Sequence, residues 1–261
     1  MRVIEHFSCS KTGDPAANED ILWIGDWFCM VADGVTSKHC ARWNGKTGGR
    51  IAVECIISAV KKLSGDETAR EAFSQIQETI CALDLPEDIA PQASVLIYNH
   101  KRRELWSVGD CPFIINGTYH KNEKKVDQLL STLRKMTIES LLIAGHTEAE
   151  LLQQDLAREM ILPFLKLQSN LIDSDSVFSY SVLDGTHPIR NIEVLPIPEG
   201  SELILATDGY PDLKNTLPKS EEALAKILAG DPLCYRLHPS TKGISKGNIS
   251  FDDRTFLKIL T

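Results

Sequence analysis

A chain of 261 residues with 43% hydrophobic and 25% charged residues can bury a sizeable core, as one large domain or two small ones. Its formal net charge of −8, with no basic block, argues against a phosphate-backbone partner, so no nucleic acid is expected. No run approaches ~18 apolar residues and MRVIEHFSCSKTGDP has no apolar h-region, so neither a membrane span nor a signal peptide is expected.

Residues 21–33 (ILWIGDWFCMVAD) are two apolar runs broken by Gly25-Asp26, the pattern of a hairpin. Over 47–63, Ile51, Ala52, Cys55, Ile56, Ala59, Val60 and Leu63 recur at helical spacing. Asp66 is the expected N-cap of a second helix through about Leu83. After Pro91, ASVLIYNH, ELWSVG and PFIING read as strands, with KRR at 101–103 as a hairpin tip. Residues 123–169 are rich in Leu, Glu, Lys and Gln, with Gly145 the sole glycine. They predict two helices, about 123–143 and 147–168. β structure returns as SVFSYSVL, a turn at Asp184-Gly185, then NIEVLPI and ELILATD. A helix near 219–229, a polar loop at 238–249 and a strand TFLKIL complete the pattern.

Strands in hairpins and helices in runs indicate an α+β fold with antiparallel sheets, rather than alternating βαβ units. With no repeat, low-complexity tract or linker, one domain over 1–261 is expected, with 123–169 as an inserted helical lid. The seven cysteines are odd in number, form no CxxC and lie partly in apolar runs such as WFCMVA and VECIIS. Reduced thiols and a cytoplasmic location fit this usage.

Acidic residues cluster at strand ends. Asn18-Glu19-Asp20 precedes the first hairpin strand, Asp33-Gly34 ends WFCMVA, and Asp208-Gly209 ends ELILAT. Asp252-Asp253 precedes TFLKIL, and Asp110 follows LWSVG. One Asp-Gly alone is most often only a turn. As a group, rigid strand ends can bring distant carboxylates together, and Gly lets a neighbouring carbonyl approach an ion. Converging carboxylates repel one another unless cations separate them. An all-oxygen set without His or Cys favours Mg²⁺ or Mn²⁺ over zinc.

The segments NED (18–20), FCMVADG (28–34), ASVLIYN (93–99), LWSVGDCPFII (105–115), LILATDGYPDL (203–213) and SFDDRTFLKI (250–259) carry a family resemblance. In kind and order they resemble the protein phosphatase 2C family, the metal-dependent serine/threonine phosphatases, over nearly the whole chain and most weakly across 117–200. The resemblance implies a four-layer α/β/β/α sandwich of two antiparallel sheets flanked by helices. It implies that Asp33 bridges two metals, that the Gly34 carbonyl is a ligand, and that Asp208 and Asp252 serve the first metal. Glu19 and Asp20 would reach the second metal directly or through water, and Asp110 would help to hold a third, weaker one. The implied cofactors are two Mg²⁺ or Mn²⁺ ions, with the third at Asp110. The implied reaction is hydrolysis of phosphoserine or phosphothreonine on proteins by a water bridging the two cations. Metal coordination lowers the pKa of water from ~15.7 towards ~7. No protein nucleophile is needed, so Cys111 and Ser94 have no expected catalytic role. The implied partners are a phosphorylated protein substrate and a partner protein kinase.

Some family features are missing. Where the family has a phosphate-gripping arginine, this chain has Pro15. Lys11 is a candidate substitute, although a lysine is a point charge and no bidentate fork. In GVTSKH, Lys38 and His39 are candidates to contact phosphate or protonate the leaving group; solvated loop residues are the bland alternative. The family's acidic motif before Asp208 is absent, and Asp184 in SVLDG reads as a turn. A catalytically silent regulator that binds phosphoproteins is therefore the second reading, and a hydrolase of small phosphorylated metabolites the third. The GKT at 45–47 is no P-loop, because Cys40 stands where a glycine is required. The histidines lack HxxxH and HEXXH spacing, which leaves a zinc protease unsupported. Trp23, Trp27, Trp43 and Trp106 are expected in the core or sheets.

Overall fold

Period-two alternation along one strand sorts the core into layers. In β3 (Phe28–Gly34), Phe28, Met30 and Ala32 pack among helical residues, while Cys29 and Val31 pack against the opposite sheet. The protein is described by a computed structural model covering residues 1–36, 38, 41–86 and 88–261.

One sheet has the order β2-β3-β4-β5-β8, with β2 at Asp20–Ile24, β4 at Ala93–Asn99, β5 at Glu104–Val108 and β8 at Glu193–Pro196. The other has the order β1-β10-β9-β6-β7, with β1 at Arg2–Cys9, β10 at Arg254–Leu260, β9 at Glu202–Ala206, β6 at Phe113–Ile115 and β7 at Thr118–His120. Every pairing is antiparallel. Leu96, Leu105, Leu203, Leu205, Leu257 and Ile259 fill the space between the sheets.

Helices α1 (Gly48–Val60) and α2 (Ala69–Cys81) cover the first sheet, where Trp106 lies 5.8 Å from Phe28 and 6.3 Å from Phe73, ring to ring. Helix α6 (Leu217–Gly230) places Leu224 with Ile204 and Phe256 on the outer face of the second sheet. This is the four-layer α/β/β/α arrangement of two antiparallel sheets.

Several local expectations need correction. The cap of α2 is Thr68, which forms a capping box with Glu71, while Asp66 pairs with Lys101. The inserted region holds three helices: α3 (Lys125–Ile143), α4 (Glu148–Gln153) and α5 (Leu156–Leu167). The expected second helix breaks because the Asp155 side chain accepts from Arg158 N and starts α5 afresh. SVFSYSVL is no strand and makes only isolated bridges, Tyr180 to Ile172 and Leu183 to Ala93. Its serines bond locally, Ser181 to Asp173 and Ser176 to Phe178 N, in competition with a ladder. Trp27 is 44% exposed beneath the Lys101 ammonium, and Trp43 is half-buried in a short turn. Cys9, Cys29, Cys55, Cys81, Cys111 and Cys234 are free thiols; Cys40 lies outside the described residues. Among the described residues no helix is long and apolar enough to cross a membrane.

The insertion is fastened by a buried arginine. Val126 and Leu130 of α3 pack with Ile161 and Leu165 of α5, and Ile138, Leu151 and Ala157 pack with Leu233 and Tyr235. Arg134, fully buried, donates from Nη2 to Asp155 at 2.6 Å and from Nη1 to the carbonyls of Leu233, Cys234 and Ser240 at 2.9–3.2 Å. Removing one partner of a buried ion pair typically costs about 3–5 kcal/mol. Arg134→Ala should therefore destabilise by about that amount in urea unfolding, with Arg134→Lys recovering only part, because an ammonium lacks the planar fork. An unchanged midpoint in Arg134→Ala would refute the strut.

Candidate active site

The strand register that builds the core also places the acids. Asp20 of β2 lies opposite Asp33 of β3, and Asp33 lies opposite Ser94 of β4. By alternation Asp33 shares the face of Cys29 and Val31, so it projects between the sheets where β3 ends. The second sheet reaches the same point. Thr207 follows β9, donates its N–H to Thr255 O at 3.0 Å, and donates its hydroxyl to Asp20 Oδ2 at 2.6 Å.

Two glycines let the backbones close. A Cβ at Gly34 would meet Glu19 O at 2.5 Å and Gly49 O at 2.6 Å. A Cβ at Gly209 would meet Asp253 O at 2.0 Å, so the turn bearing Asp208 is pressed against the segment bearing Asp252. Asp253, given no role of its own in the sequence reading, is the clamp beneath. Its buried carboxylate accepts from Lys11 N at 2.7 Å and from Glu19 N at 3.0 Å. The doublet Asp252-Asp253 was its only visible signal. Thr47, the N-cap of α1, donates to Glu19 Oε1 at 2.6 Å. The Gly-rich stretch that mimics a P-loop thus starts α1 and fixes Glu19.

The electrostatics divide these acids into two groups. Burial, then the charges of Asp208, Asp20, Asp252 and Asp110, push the Asp33 carboxyl well up. Burial, then Asp253, Asp252 and Asp208, push Asp20 up against the opposing Thr207 hydrogen bond. Burial, then Asp252 and Asp110, raise Asp208 against the pull of Lys242 and Lys121. These three lack an adequate countercharge. Asp252 and Asp110 have theirs. Burial works against ionisation at both, but Lys242 and Lys11 hold Asp252 low, and Lys124 and Lys121 hold Asp110 low.

The predicted phosphate contacts fall in different places. The Lys11 ammonium points into the acids, 3.0 Å from Glu19, 3.3 Å from Asp253 and 3.6 Å from Asp252. Lys38 lines a cavity of about 280 Å³ above the acids and donates to Thr36 O at 2.8 Å. Burial, then the neighbouring charges of Lys242 and Arg158, push its ammonium down to about 7. His39 lies outside the described residues. The cavity floor is Asp33, Asp208, Asp252 and Asp110; its wall carries Lys121, Lys124 and Lys242, which sequence reasoning missed. The KNEKK run at 121–125 was the available signal for two of them, and the polar loop at 238–249 gave none for Lys242. Gln128 and Ser131 of α3 and Leu165 of α5 line the same cavity. His238 also lines the cavity, and burial pushes it down to about 4.

Among the described residues, no three His, Cys, Asp or Glu side chains are gathered tightly enough to form a finished metal cage. Like charges spread apart, and Lys11 and Lys242 draw Glu19 and Asp252 aside. The donor set nonetheless fits hard cations: three undercompensated carboxylates, Asp20 buried and Asp33 and Asp208 half-buried, with the Gly34 backbone where a side chain would collide.

Two antiparallel sheets flanked by helices, with acids from both sheets at one end, form a protein phosphatase 2C-type α+β fold. A family model described as protein phosphatase 2C matches residues 19–231. The chain belongs to that family. Among solved structures, the catalytic domain of the serine/threonine phosphatase PstP, in complex with two manganese ions, matches at TM-score 0.52 and 15% identity, over 99% of this chain and 98% of that one. The Mycobacterium tuberculosis phosphatase PstP/Ppp matches at TM-score 0.51 and 14% identity, again over 99% and 98%. The phosphatase Stp1 from Staphylococcus aureus matches at TM-score 0.50 and 12% identity, over 98% of this chain and 94% of that one. At these identities the likeness concerns the fold. Comparison with curated proteins gives no match.

The undercompensated acids have a thermodynamic consequence. A carboxyl raised in the folded state binds a proton that the unfolded chain releases, so its stability contribution is lost as pH rises above the ordinary carboxylate range. With chelator at pH 8, Asp208→Asn should melt about 2–4 °C above wild type, the shift expected of a change near 1 kcal/mol, and the gap should close towards pH 5. Mn²⁺ should raise the Tm of wild type more than that of the variant. Equal melting at every pH, with equal Mn²⁺ shifts, would refute mutual repulsion as the dominant force here.

Proposed function

We propose that this chain is a metal-dependent phosphatase that hydrolyses phosphoserine or phosphothreonine on proteins. The observation that carries this reading is the pair Asp33 and Asp208 on the floor of a lysine-lined cavity, with Asp20 in register opposite Asp33, three acids without enough positive charge of their own. The family membership supports it.

In this reading Asp33, the Gly34 carbonyl, Asp208, Asp252, Glu19 and Asp20 would hold two Mg²⁺ or Mn²⁺ ions, Asp208 and Asp252 the first of them and Glu19 and Asp20 the second. When bound, the ions would supply an activated water near neutral pH and shield the phosphoryl oxygens from the carboxylates. The chain's own residues do the rest. Asp253 and Thr47 hold Glu19 in place, and Thr207 orients Asp20. Lys38 and Lys121 face the cavity and offer the phosphate the positive charge that the missing arginine would have given. Lys38, near its balance point at neutral pH, can hold or release a proton at Nζ beside the leaving oxygen. The helices over 123–169 act as a lid, part of a single domain, and their cavity-facing side chains select the substrate. A protein kinase that makes the substrate is the matching partner, in the cytoplasm.

One observation favours the silent-regulator reading. The ammonium groups of Lys11 and Lys242 already contact Glu19, Asp252 and Asp253, which lowers the demand for added cations on that side of the site. Turnover separates the two. Purified protein should release phosphate from a phosphothreonine peptide with Mn²⁺ or Mg²⁺ and fall silent in chelator. Asp33→Asn and Asp208→Asn should each lower turnover at least about 100-fold with the fold intact by circular dichroism; even the support around metal ligands is worth ~10–100-fold. No release by wild type, despite bound Mn²⁺, would establish the regulator. Full turnover in both variants would sink the metal assignment.

A further inference from the structure

We infer that the ammonium of Lys124 occupies the place at Asp110 that the family pattern gives to a third divalent cation, so that this chain takes up no ion there. The inference rests on the metal-dependent reading above and alters its stoichiometry.

The carboxylate is already engaged. Lys124 Nζ lies 2.9 Å from Asp110 Oδ1, with the two side chains only 12% and 11% exposed. Ser94 Oγ donates to the same oxygen at 2.8 Å. The Tyr180 ring lies 5.3 Å from the ammonium and offers its π face. An ion at Asp110 would have to share this enclosed space with a fixed like charge and find further oxygen ligands where an ammonium stands.

The local sequence points the same way. Lys124 is the N-cap of the 19-residue helix α3 and makes no side-chain cap bond. That position favours Ser, Thr, Asp or Asn, and the helix dipole disfavours a cation there. A residue that breaks both local rules, and turns its charge inward to a buried carboxylate, is placed for the site and not for the helix. The root of the inserted helical region thereby carries a permanent positive charge to the cavity wall beside Asp33 and Asp208. Ambient metal concentration cannot remove that charge.

The test counts ions by equilibrium dialysis with Mn²⁺ on the full chain. Wild type and Asp110→Asn should bind the same number. Lys124→Met should bind one more, weakly, and that ion should vanish in Lys124→Met combined with Asp110→Asn. Lys124→Arg should bind no more than wild type, and thermal melts confirm that each variant is folded. Loss of one ion in Asp110→Asn, with the remainder retained, would overturn the assignment while leaving the metal-dependent reading standing. No Mn²⁺ uptake by wild type, or uptake unaffected by Asp33→Asn, would overturn the metal-dependent reading and the inference with it.

Discussion

Mutual repulsion among carboxylates largely withdrawn from water is the constraint on which the rest of this structure depends. Asp20, Asp33 and Asp208 are brought to one end of a sandwich whose interior is mainly Leu and Ile. Such groups leave water only if the surrounding frame is stiff enough to hold them, and only if charge of the opposite sign is at hand. The first condition is met by identifiable parts, and the second only in part. Register fixes Asp20 opposite Asp33. Thr207 crosses from the second sheet to bind Asp20, and Asp253 holds the backbone of Lys11 and Glu19. Gly34 and Gly209 permit backbone contacts that any side chain would prevent.

The countercharge comes from lysines on four separate pieces of chain. Lys11 follows β1, Lys38 follows β3, Lys121 and Lys124 lead into α3, and Lys242 lies in the loop before β10. Three of the five do not answer the same acids: Lys11 and Lys242 neutralise Asp252, whereas Lys124 neutralises Asp110. Positive charge is thus concentrated at the rim, and the deepest acids stay short of it. That gradient suits a site in which small dianionic groups are drawn past the rim to a floor that still needs cations.

How much of this was legible in the sequence follows from the range of the interactions. The hairpin at Gly25-Asp26, the helix beginning at Gly48 and the strands around Trp106 rest on period and turn chemistry, and they stand as expected. Acids at strand ends were legible for the same reason, since Asp33 and Asp208 each sit between an apolar run and a glycine. β1 was not legible: it is exposed or half-buried along its length, without a clean apolar alternation. The break before α5 was hidden because Asp155 serves two masters, capping Arg158 locally and pairing with Arg134 from another helix. The partners of Lys11 were hidden most completely. A lysine eight residues from Glu19 can serve phosphate or carboxylate with equal local logic, and only the fold delivers Asp252 and Asp253 to it.

The same distinction accounts for which family features this chain retains and which it replaces. The acids are tied to backbone features: Asp20 and Asp33 by strand register, Asp208 by the glycine contact beside it, and Asp20 also by a threonine bridge. The arginine position, here Pro15, lies in a short turn whose residues are exposed and bear on no core cluster. Its charge can be supplied from elsewhere, because attraction to a dianion depends on distance and dielectric and only weakly on which segment bears the cation. The segment that leads into α3 brings Lys121 and Lys124 to the cavity wall. Arg134 ties α3 to the 233–240 segment, so the helix that brings Lys124 and the loop that leads to Lys242 are held by one guanidinium. A rim assembled in this way can change its chemistry by exchanging surface residues of the insertion, while the carboxylate floor remains a property of the fold.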